Sequence, residues 1–181
     1  MMRELSSPII EDLQLKTQKH DKERTTVRAI ITNGSQGLML YSKHYDDYTF
    51  PGGGVKDGED LIESLKRELI EEIGALEIKN VNLYGKIHEI KHSYKLDSDN
   101  TYLQTSIYYK LDVAKFGEAK PLEREKAQGI KAVWIDLAEA LRHNENIIGD
   151  EKHQKKGLKT TLLRENEVLK LLIEEANNEK I

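Results

Sequence analysis

A run of apolar residues at helical spacing constrains this chain most. Four apolar side chains recur at steps of four residues, which places them on one face of an α-helix. They are Leu61, Leu65, Leu69 and Ile73. Asp60 stands where the start of a helix favours a short acidic side chain, and Gly74 stands where the end favours glycine. The pattern predicts an amphipathic helix over residues 60–73 whose apolar face packs on a core.

Other stretches predict strands and helices in mixed order. β-branched or apolar runs separated by turn residues indicate strands, and apolar residues at helical spacing indicate helices. The predicted strands cover residues 25–33, 37–42, 81–94, 101–113 and 129–135, and the further helices cover residues 137–141 and 162–176. The two longest strands flank a turn-rich segment and should pair as an antiparallel hairpin. We therefore expect an α+β domain over residues 25–181, preceded by an N-terminal arm or extension over residues 1–24.

The composition limits the kinds of site that the chain can build. The 181 residues include no cysteine, which excludes disulfides and cysteine-ligated zinc, so a metal must be held by oxygen or imidazole ligands. The formal net charge of -4 argues against general nucleic-acid binding, because a phosphate backbone is neutralised by a basic face. No stretch reaches the roughly 18 consecutive apolar residues of a membrane helix. We expect a cytoplasmic protein without a membrane partner.

Three glutamates on the predicted helix indicate a site for a hard divalent cation. Glu71 and Glu72 follow Glu68 at helical spacing, so one patch of the helix carries three carboxylates. Their mutual repulsion and partial desolvation would raise their pKa values unless cations intervene. Mg²⁺ prefers oxygen ligands and bridges to substrate phosphates, and Mn²⁺ can take its place. Without further context, a solvated acidic helix face would explain the same residues.

The residues around this cluster resemble the Nudix box of the MutT-like Nudix hydrolase superfamily. From Gly53 to Ala75 the chain reads GGVKDGEDLIESLKRELIEEIGA, which fills every polar and glycine position of the family pattern. Ala75 stands where the family usually has a larger aliphatic residue, which affects packing and leaves the acidic residues intact. The resemblance implies the Nudix fold, an α/β/α sandwich in which helices flank a mixed β-sheet, with a C-terminal helix.

The resemblance also implies which atoms bind metal. It assigns this role to the side chains of Glu68, Glu71 and Glu72 and to the backbone carbonyl of Gly52. It leaves open whether Glu71 or Glu72 also takes the proton of an attacking water.

Arg67 is expected to support catalysis. It lies four residues from both Glu63 and Glu71, so it can orient carboxylates and compensate their charge. A surface ion pair is the alternative reading.

Three residues outside the box complete the predicted site. Glu125 precedes the strand that contains Trp134, in a region where Nudix enzymes often place an additional catalytic glutamate, although a solvated charge explains it equally well. Tyr48 and Phe50 precede the box closely enough to line its pocket and bind substrate by stacking on a nucleobase. Ordinary strand residues are the alternative.

These features point to chemistry at a diphosphate. A bound cation can activate water for attack on phosphorus. We therefore expect hydrolysis of a pyrophosphate bond in a nucleoside diphosphate derivative, either NDP-X to NMP and phosphorylated X, or NTP to NMP and pyrophosphate. Two alternatives are a non-catalytic Nudix-fold module that senses nucleotides and an RNA 5′-end pyrophosphohydrolase, whose basic track could come from residues 152–159. Family habit suggests a homodimer.

Overall fold

The computed structural model describes residues 1–16 and 19–180 and contains two β-sheets flanked by helices. The strands are β1 (Ile9–Ile10), β2 (Lys22–Ile30), β3 (Thr32–Asn33), β4 (Gln36–Ser42), β5 (Asp47–Thr49), β6 (Gly52–Gly54), β7 (Ala75–His92), β8 (Thr101–Phe116) and β9 (Ile130–Asp136). The helices are α1 (Leu61–Ile73), α2 (Glu123–Ala127), α3 (Leu137–Ile147) and α4 (Thr161–Asn178), and a 3₁₀ turn covers Leu13–Lys16. Residues 17 and 18 of the predicted arm and residue 181 of the predicted domain lie outside the described residues.

The first sheet mixes parallel and antiparallel strands in the order β1-β7-β8-β2-β6. β1 pairs with β7 and β2 pairs with β8 in parallel, whereas the β7–β8 and β2–β6 pairs are antiparallel. The β7–β8 pair confirms the predicted long hairpin, but β7 begins at Ala75, directly after α1, instead of at residue 81. The second sheet joins β3, β4 and β5, with β9 antiparallel to β4.

The first sheet lies between two helical layers, which confirms the expected sandwich. Alternate residues of β2 enter different cores, because successive side chains of a strand point to opposite faces. Val27 and Ala29 pack with Leu65 and other residues of α1 on one face. Ile30 packs with residues of α3 and α4, including Leu169, on the other. None of the helices among the described residues is long and apolar enough to span a membrane.

Helix α1 confirms the central prediction from the sequence. The side chain of Asp60 accepts hydrogen bonds from the backbone N–H groups of Ile62 and Glu63 at 3.0 and 3.2 Å, which satisfies donors that the first turn leaves free. Gly74 ends the helix in the left-handed conformation, with φ of 67°. Leu65 is fully buried. The buried stripe fixes the rotation of the helix and therefore the direction in which its carboxylates point.

Parts of the predicted N-terminal arm or extension pair with the first sheet. β1 forms an edge strand beside β7, and Leu5 and Leu15 are buried. β2 begins at Lys22, so the predicted boundary after residue 24 falls inside a strand. The sequence reading missed these contacts because short apolar stretches near a terminus carry little periodic signal.

Candidate active site

The glycines before α1 form an edge strand that lies directly against the helix. β6 pairs with β2, with Gly52 opposite Arg28. A side chain on Gly52, whose φ is 148°, would collide with the carbonyl oxygen of Val27. A Cβ on Gly53 would lie 2.5 Å from Cδ of Glu68. Glycine is required here because β6 approaches both its neighbouring strand and the acidic side of α1 too closely for a side chain.

Two of the three predicted carboxylate ligands face this strand. Oε1 of Glu72 accepts a hydrogen bond from the backbone N–H of Gly52 at 2.9 Å, and the carboxylate of Glu68 lies against Gly53. Burial raises the pKa of Glu72 well above its usual range; the charge of Arg28 opposes this shift, while Glu68 and Glu125 add to it. The site therefore holds a desolvated carboxyl group next to other acids, an arrangement that a bound cation would stabilise.

Glu71, the third predicted ligand, lies at the margin of this cluster. It lines an open hollow of about 380 Å³ together with Glu63, Lys66, Arg67 and Ile70. The structure thus brings Glu68 and Glu72 to the glycine strand, whereas Glu71 lies beside the exposed residues Glu63 and Lys66 of α1.

Arg67 connects the loop before α1 to the acidic cluster. Its Nε and Nη2 donate to the two carboxylate oxygens of Glu59 at 3.0 and 2.9 Å, and its Nη1 donates to Oε1 of Glu68 at 2.7 Å. Nη2 also donates to the carbonyl of Gly54 at 3.1 Å. Hydrogen bonding by Arg67 lowers the pKa of Glu59 to about 2. Arg67 therefore orients a carboxylate of the cluster, but its ionic partners are Glu59 and Glu68 rather than residues four positions away on the helix.

Glu125 lies within electrostatic reach of Glu72, although the chain separates them widely. It is on α2, where its Oε1 accepts the backbone N–H of Leu122 at 2.8 Å, and its charge contributes to the raised pKa of Glu72. The neighbouring Glu123 instead pairs with Lys126 and is almost fully exposed. Of the two glutamates in this segment, only Glu125 is among the charges that raise the pKa of Glu72 most.

Two arginines on β2 border the acidic cluster and were missed by sequence reasoning. Nη1 of Arg28 donates to the carbonyl oxygens of Gly52 and Phe50 at 3.3 and 3.4 Å, and its buried Nε has no hydrogen-bond partner among the described residues. Arg24 lies beside Gly54, and burial together with the charges of Arg28 and Arg164 lowers its pKa. The sequence did offer one signal for them. Arg24 and Arg28 lie four residues apart, and side chains at that spacing in one strand point to the same face of the sheet.

The two predicted stacking residues lie in different surroundings. Phe50 is 1% exposed and packs edge-to-face on Tyr108, with ring centroids 5.8 Å apart, so its ring has no face free for a nucleobase. Because Phe50 is buried in the core, it cannot stack on a nucleobase as the sequence suggested. Tyr48 is partly exposed and lines a cavity of about 390 Å³ with Tyr41 and Trp134. Stacking on a base stays a prediction for Tyr48.

A comparison with known protein families identifies the family to which this chain belongs. The NUDIX domain model matches residues 22–155, from the first residue of β2 to the segment before α4. The chain belongs to the Nudix family. The box-like segment 53–75 lies within the matched residues and covers most of β6, the following loop and helix α1.

Named relatives match shorter parts of this Nudix chain. An RNA pyrophosphohydrolase from Pasteurella multocida is 39% identical over 79 residues, which are 42% of this chain and 38% of the relative. An 8-oxo-dGTP diphosphatase from Buchnera aphidicola is 41% identical over 49 residues, 27% of this chain and 39% of the relative. The chain thus spans about two fifths of the length of these relatives. A NUDIX hydrolase structure from Nitrosomonas europaea has 22% identity and a TM-score of 0.48, and the likeness covers 69% of this chain and 79% of that one.

The donor set of this Nudix box suits a hard cation without enclosing one by itself. Within residues 1–16 and 19–180, no three Asp, Glu or His side chains come close enough together to hold a metal ion. Mg²⁺ commonly takes one or two protein carboxylates and completes its shell with water and substrate phosphate oxygens. Glu72, which is desolvated, and the adjacent Glu68 offer such carboxylates. The residues present therefore fit a divalent cation that binds together with an anionic substrate.

Proposed function

We propose that this chain hydrolyses the pyrophosphate bond of a nucleoside diphosphate derivative, in a reaction that uses Mg²⁺ or Mn²⁺. The products would be NMP and phosphorylated X from NDP-X, or NMP and pyrophosphate from NTP. The observation that carries the proposal is the desolvated Glu72, held against the backbone of Gly52 and beside Glu68. A carboxyl group that is buried among acids costs folding free energy unless a cation or a proton compensates it.

Each side chain of the site then has a defined task. The cation would neutralise the diphosphate and lower the pKa of a bound water. Glu68 and Glu72 would hold it, with the carbonyl of Gly52 as a further oxygen donor. Glu71, at the margin of the cluster, stays a predicted ligand. Glu125, whose charge contributes to the raised pKa of Glu72, would help to accept the proton of the water.

Arg67, Arg24 and Arg28 would supply positive charge around the diphosphate of the substrate. Arg67 holds Glu68 in place and closes the loop through Glu59. The salt-bridged arginines among the described residues are Arg3, Arg67 and Arg164, so Arg24 and Arg28 are left without a carboxylate partner. Unpaired arginines beside a metal site favour phosphate groups, which accept several hydrogen bonds from a guanidinium.

A 5′-triphosphorylated RNA end is the second candidate substrate. Arg24 and Arg28, which form no salt bridge among the described residues, favour it, and several named relatives are RNA pyrophosphohydrolases. The lysine-rich stretch 152–159 adds less than the sequence suggested. Nζ of Lys152 donates to the carbonyl of His44 at 2.6 Å, and Nζ of Lys156 donates to the carbonyl of Ser98 at 2.6 Å. These lysines tie loops together, so an RNA track would rest mainly on the arginines.

The direct test is a substrate panel. The protein is incubated with Mg²⁺ and, in separate reactions, nucleoside triphosphates, 8-oxo-dGTP, ADP-ribose, diadenosine polyphosphates, sugar nucleotides and a 5′-triphosphorylated RNA oligonucleotide, and the products are separated by chromatography. Glu72→Gln removes the proposed ligand at constant volume. Glu145→Gln makes the same chemical change at an exposed position of α3 and serves as the matched control.

Cleavage by the wild type and by Glu145→Gln, but not by Glu72→Gln, would support the proposal and identify the substrate class. Binding of a nucleotide without turnover, with either Mg²⁺ or Mn²⁺, would favour the sensing module instead. A homodimer and a cytoplasmic location stay predictions from the sequence; gel filtration and cell fractionation test them.

A further inference from the structure

The chain segment that leads into the Nudix box is held by side chains from two distant helices. Oδ1 of Asn144 on α3 accepts the backbone N–H of Tyr48 at 3.0 Å, and its Nδ2 donates to the carbonyl of Tyr48 at 2.9 Å. Oε1 of Glu165 on α4 accepts the backbone N–H of Phe50 at 3.2 Å. β5 pairs with β4 along its other edge. Side chains of the two helices therefore satisfy backbone groups that a further strand would otherwise satisfy.

Both of these side chains are themselves fixed in a buried network. Glu165 and Asn144 are each 0% exposed. Oε2 of Glu165 accepts the hydroxyl of Tyr108 at 2.8 Å, and Arg164 approaches Oε1 at 3.4 Å. Nδ2 of Asn144 also donates to Oδ1 of Asn166, the residue next to Glu165, at 3.2 Å. A buried polar group that loses its hydrogen-bond partner costs considerable free energy. This network therefore holds the two side chains in single positions.

The other end of the segment meets the candidate metal site. The carbonyl of Pro51 accepts the backbone N–H of Ala29 at 2.8 Å, and the N–H of Gly52 donates to Glu72. Gly52 lies close to the backbone of Val27, because a Cβ added to it would collide with the Val27 carbonyl oxygen. Only Pro51 separates Phe50 from Gly52, so a shift of Phe50 would be transmitted through two peptide units to the atoms that lie against Glu72.

We infer that Glu165 and Asn144 are positioning residues for the divalent-cation site, which hold residues 48–52 so that the backbone of Gly52 stays against Glu72. Neither side chain is among the proposed cation ligands; both act through the backbone of residues 48–50. The inference rests on the proposed function, since it assigns these residues to the site proposed above. Groups that orient a metal ligand from outside the coordination shell typically change metal affinity tenfold to a hundredfold when they are removed.

The test measures Mn²⁺ binding to the whole protein by electron paramagnetic resonance. Glu165→Leu removes the acceptor of the Phe50 N–H, whereas Glu165→Gln keeps an amide oxygen in the same position. Thr160→Val is the matched control: it removes a buried hydrogen bond of 2.8 Å to Glu89 in the same network but touches nothing in residues 48–52. Urea unfolding of each variant identifies conditions under which all of them are folded.

We expect the Kd for Mn²⁺ to rise by roughly tenfold or more in Glu165→Leu, and to stay within about threefold of wild type in Glu165→Gln and Thr160→Val. If Glu165→Leu does not fold, Asn144→Ser carries the test, because serine is too short to bridge the backbone of Tyr48, and the same rise is expected.

Wild-type affinity in the folded Glu165→Leu protein, or in Asn144→Ser, would overturn the positioning role and leave the proposed function standing. The same loss of affinity in Thr160→Val would also overturn it, because the effect would then follow general destabilisation. A wild-type protein that binds no Mn²⁺ would overturn this inference, whereas the proposed function falls only if the substrate panel also shows no turnover.

Discussion

The backbone N–H of Gly52 donates to Oε1 of Glu72 over 2.9 Å, across 20 positions of sequence. This hydrogen bond joins the glycine strand to the acidic side of α1. It holds the carboxylate of Glu72 in a desolvated environment. Glu68 adds a second negative charge nearby. The arrangement resists folding unless the charge is compensated, and the proposed cation would provide that compensation.

Replacing Glu72 by glutamine should separate catalysis from stability. We expect kcat to fall at least about a hundredfold, because a ligand and its charge are lost from the reacting centre. The free energy of unfolding without metal should stay equal or rise, since glutamine keeps the volume and removes a charge that Glu68 and Glu125 repel. Steady-state kinetics and urea unfolding measure the two quantities. A variant with wild-type kcat would remove Glu72 from the proposed mechanism.

Glycine at position 52 should be indispensable, whereas glycine at position 58 should tolerate change. In Gly52→Ala the new methyl group would meet the carbonyl of Val27, so we expect a loss of stability of about 3 kcal/mol or more, or failure to fold. Gly58, with φ of 75°, has nothing within 4 Å of an added Cβ, so Gly58→Ala should cost only about 1 kcal/mol. Urea unfolding of both variants compares them directly. Equal losses would show that backbone strain, rather than the close approach of two strands, explains the glycine at position 52.

Arg67 and Glu59 should act as one unit. Lysine at position 67 cannot form the two-pronged contact with Glu59, so Arg67→Lys should release the loop and lower kcat/KM roughly tenfold. Glu59→Gln should lower it by a similar factor. The double variant should be little worse than either single variant, because both substitutions break the same contact. Independent effects that multiply in the double variant would contradict a shared role.

The buried Glu89–Arg164 pair should make stability depend on acid pH. Burial by itself raises the pKa of Glu89, but the charges of Arg164 and Lys91 lower it and outweigh burial. The pKa of Glu89 in the folded protein therefore lies below its unfolded value of 4.5. A depressed pKa contributes stability that is present above about pH 4.5 and is lost as the pH falls through the folded value. Wild-type stability should therefore drop in this acid range.

The variant Glu89→Gln isolates that contribution. At pH 7 it should be less stable than wild type by about 3 kcal/mol, because the buried Arg164 then loses the carboxylate at 2.8 Å and keeps only the longer contact with Glu165 at 3.4 Å. The difference between the two proteins should narrow as the pH is lowered below 4.5. Urea unfolding at a series of pH values measures it. A difference that stays constant down to the lowest pH at which both fold would rule out the proposed linkage.

Local patterns predicted the part of the site that lies in one stretch of chain. Asp60, the apolar stripe and Gly74 define α1, and the spacing of Glu68 and Glu72 puts both carboxylates on one side of that helix. These predictions succeeded because capping and helical periodicity depend on residues only a few positions apart. The family resemblance added the glycine strand, which no periodicity would have linked to metal binding.

Tertiary structure alone decided which partners these residues meet. Helical spacing suggested Glu63 and Glu71 for Arg67, yet the loop brings Glu59 back to it at 2.9 Å. Aromatic character suggested a base for Phe50, yet the ring fills the core against Tyr108. Such contacts depend on which strands pair and on which layer of the fold buries each face of a strand or helix.

The sequence by itself determined the Nudix box, its helix and its acidic chemistry, because these follow from short spacings. The fold decided that Arg24 and Arg28 border the cluster and that Glu165 reaches the backbone of Phe50 across 115 positions. Those relationships join residues far apart in the chain, and their free energy comes from desolvation and packing that exist only once the sheet and helices have assembled.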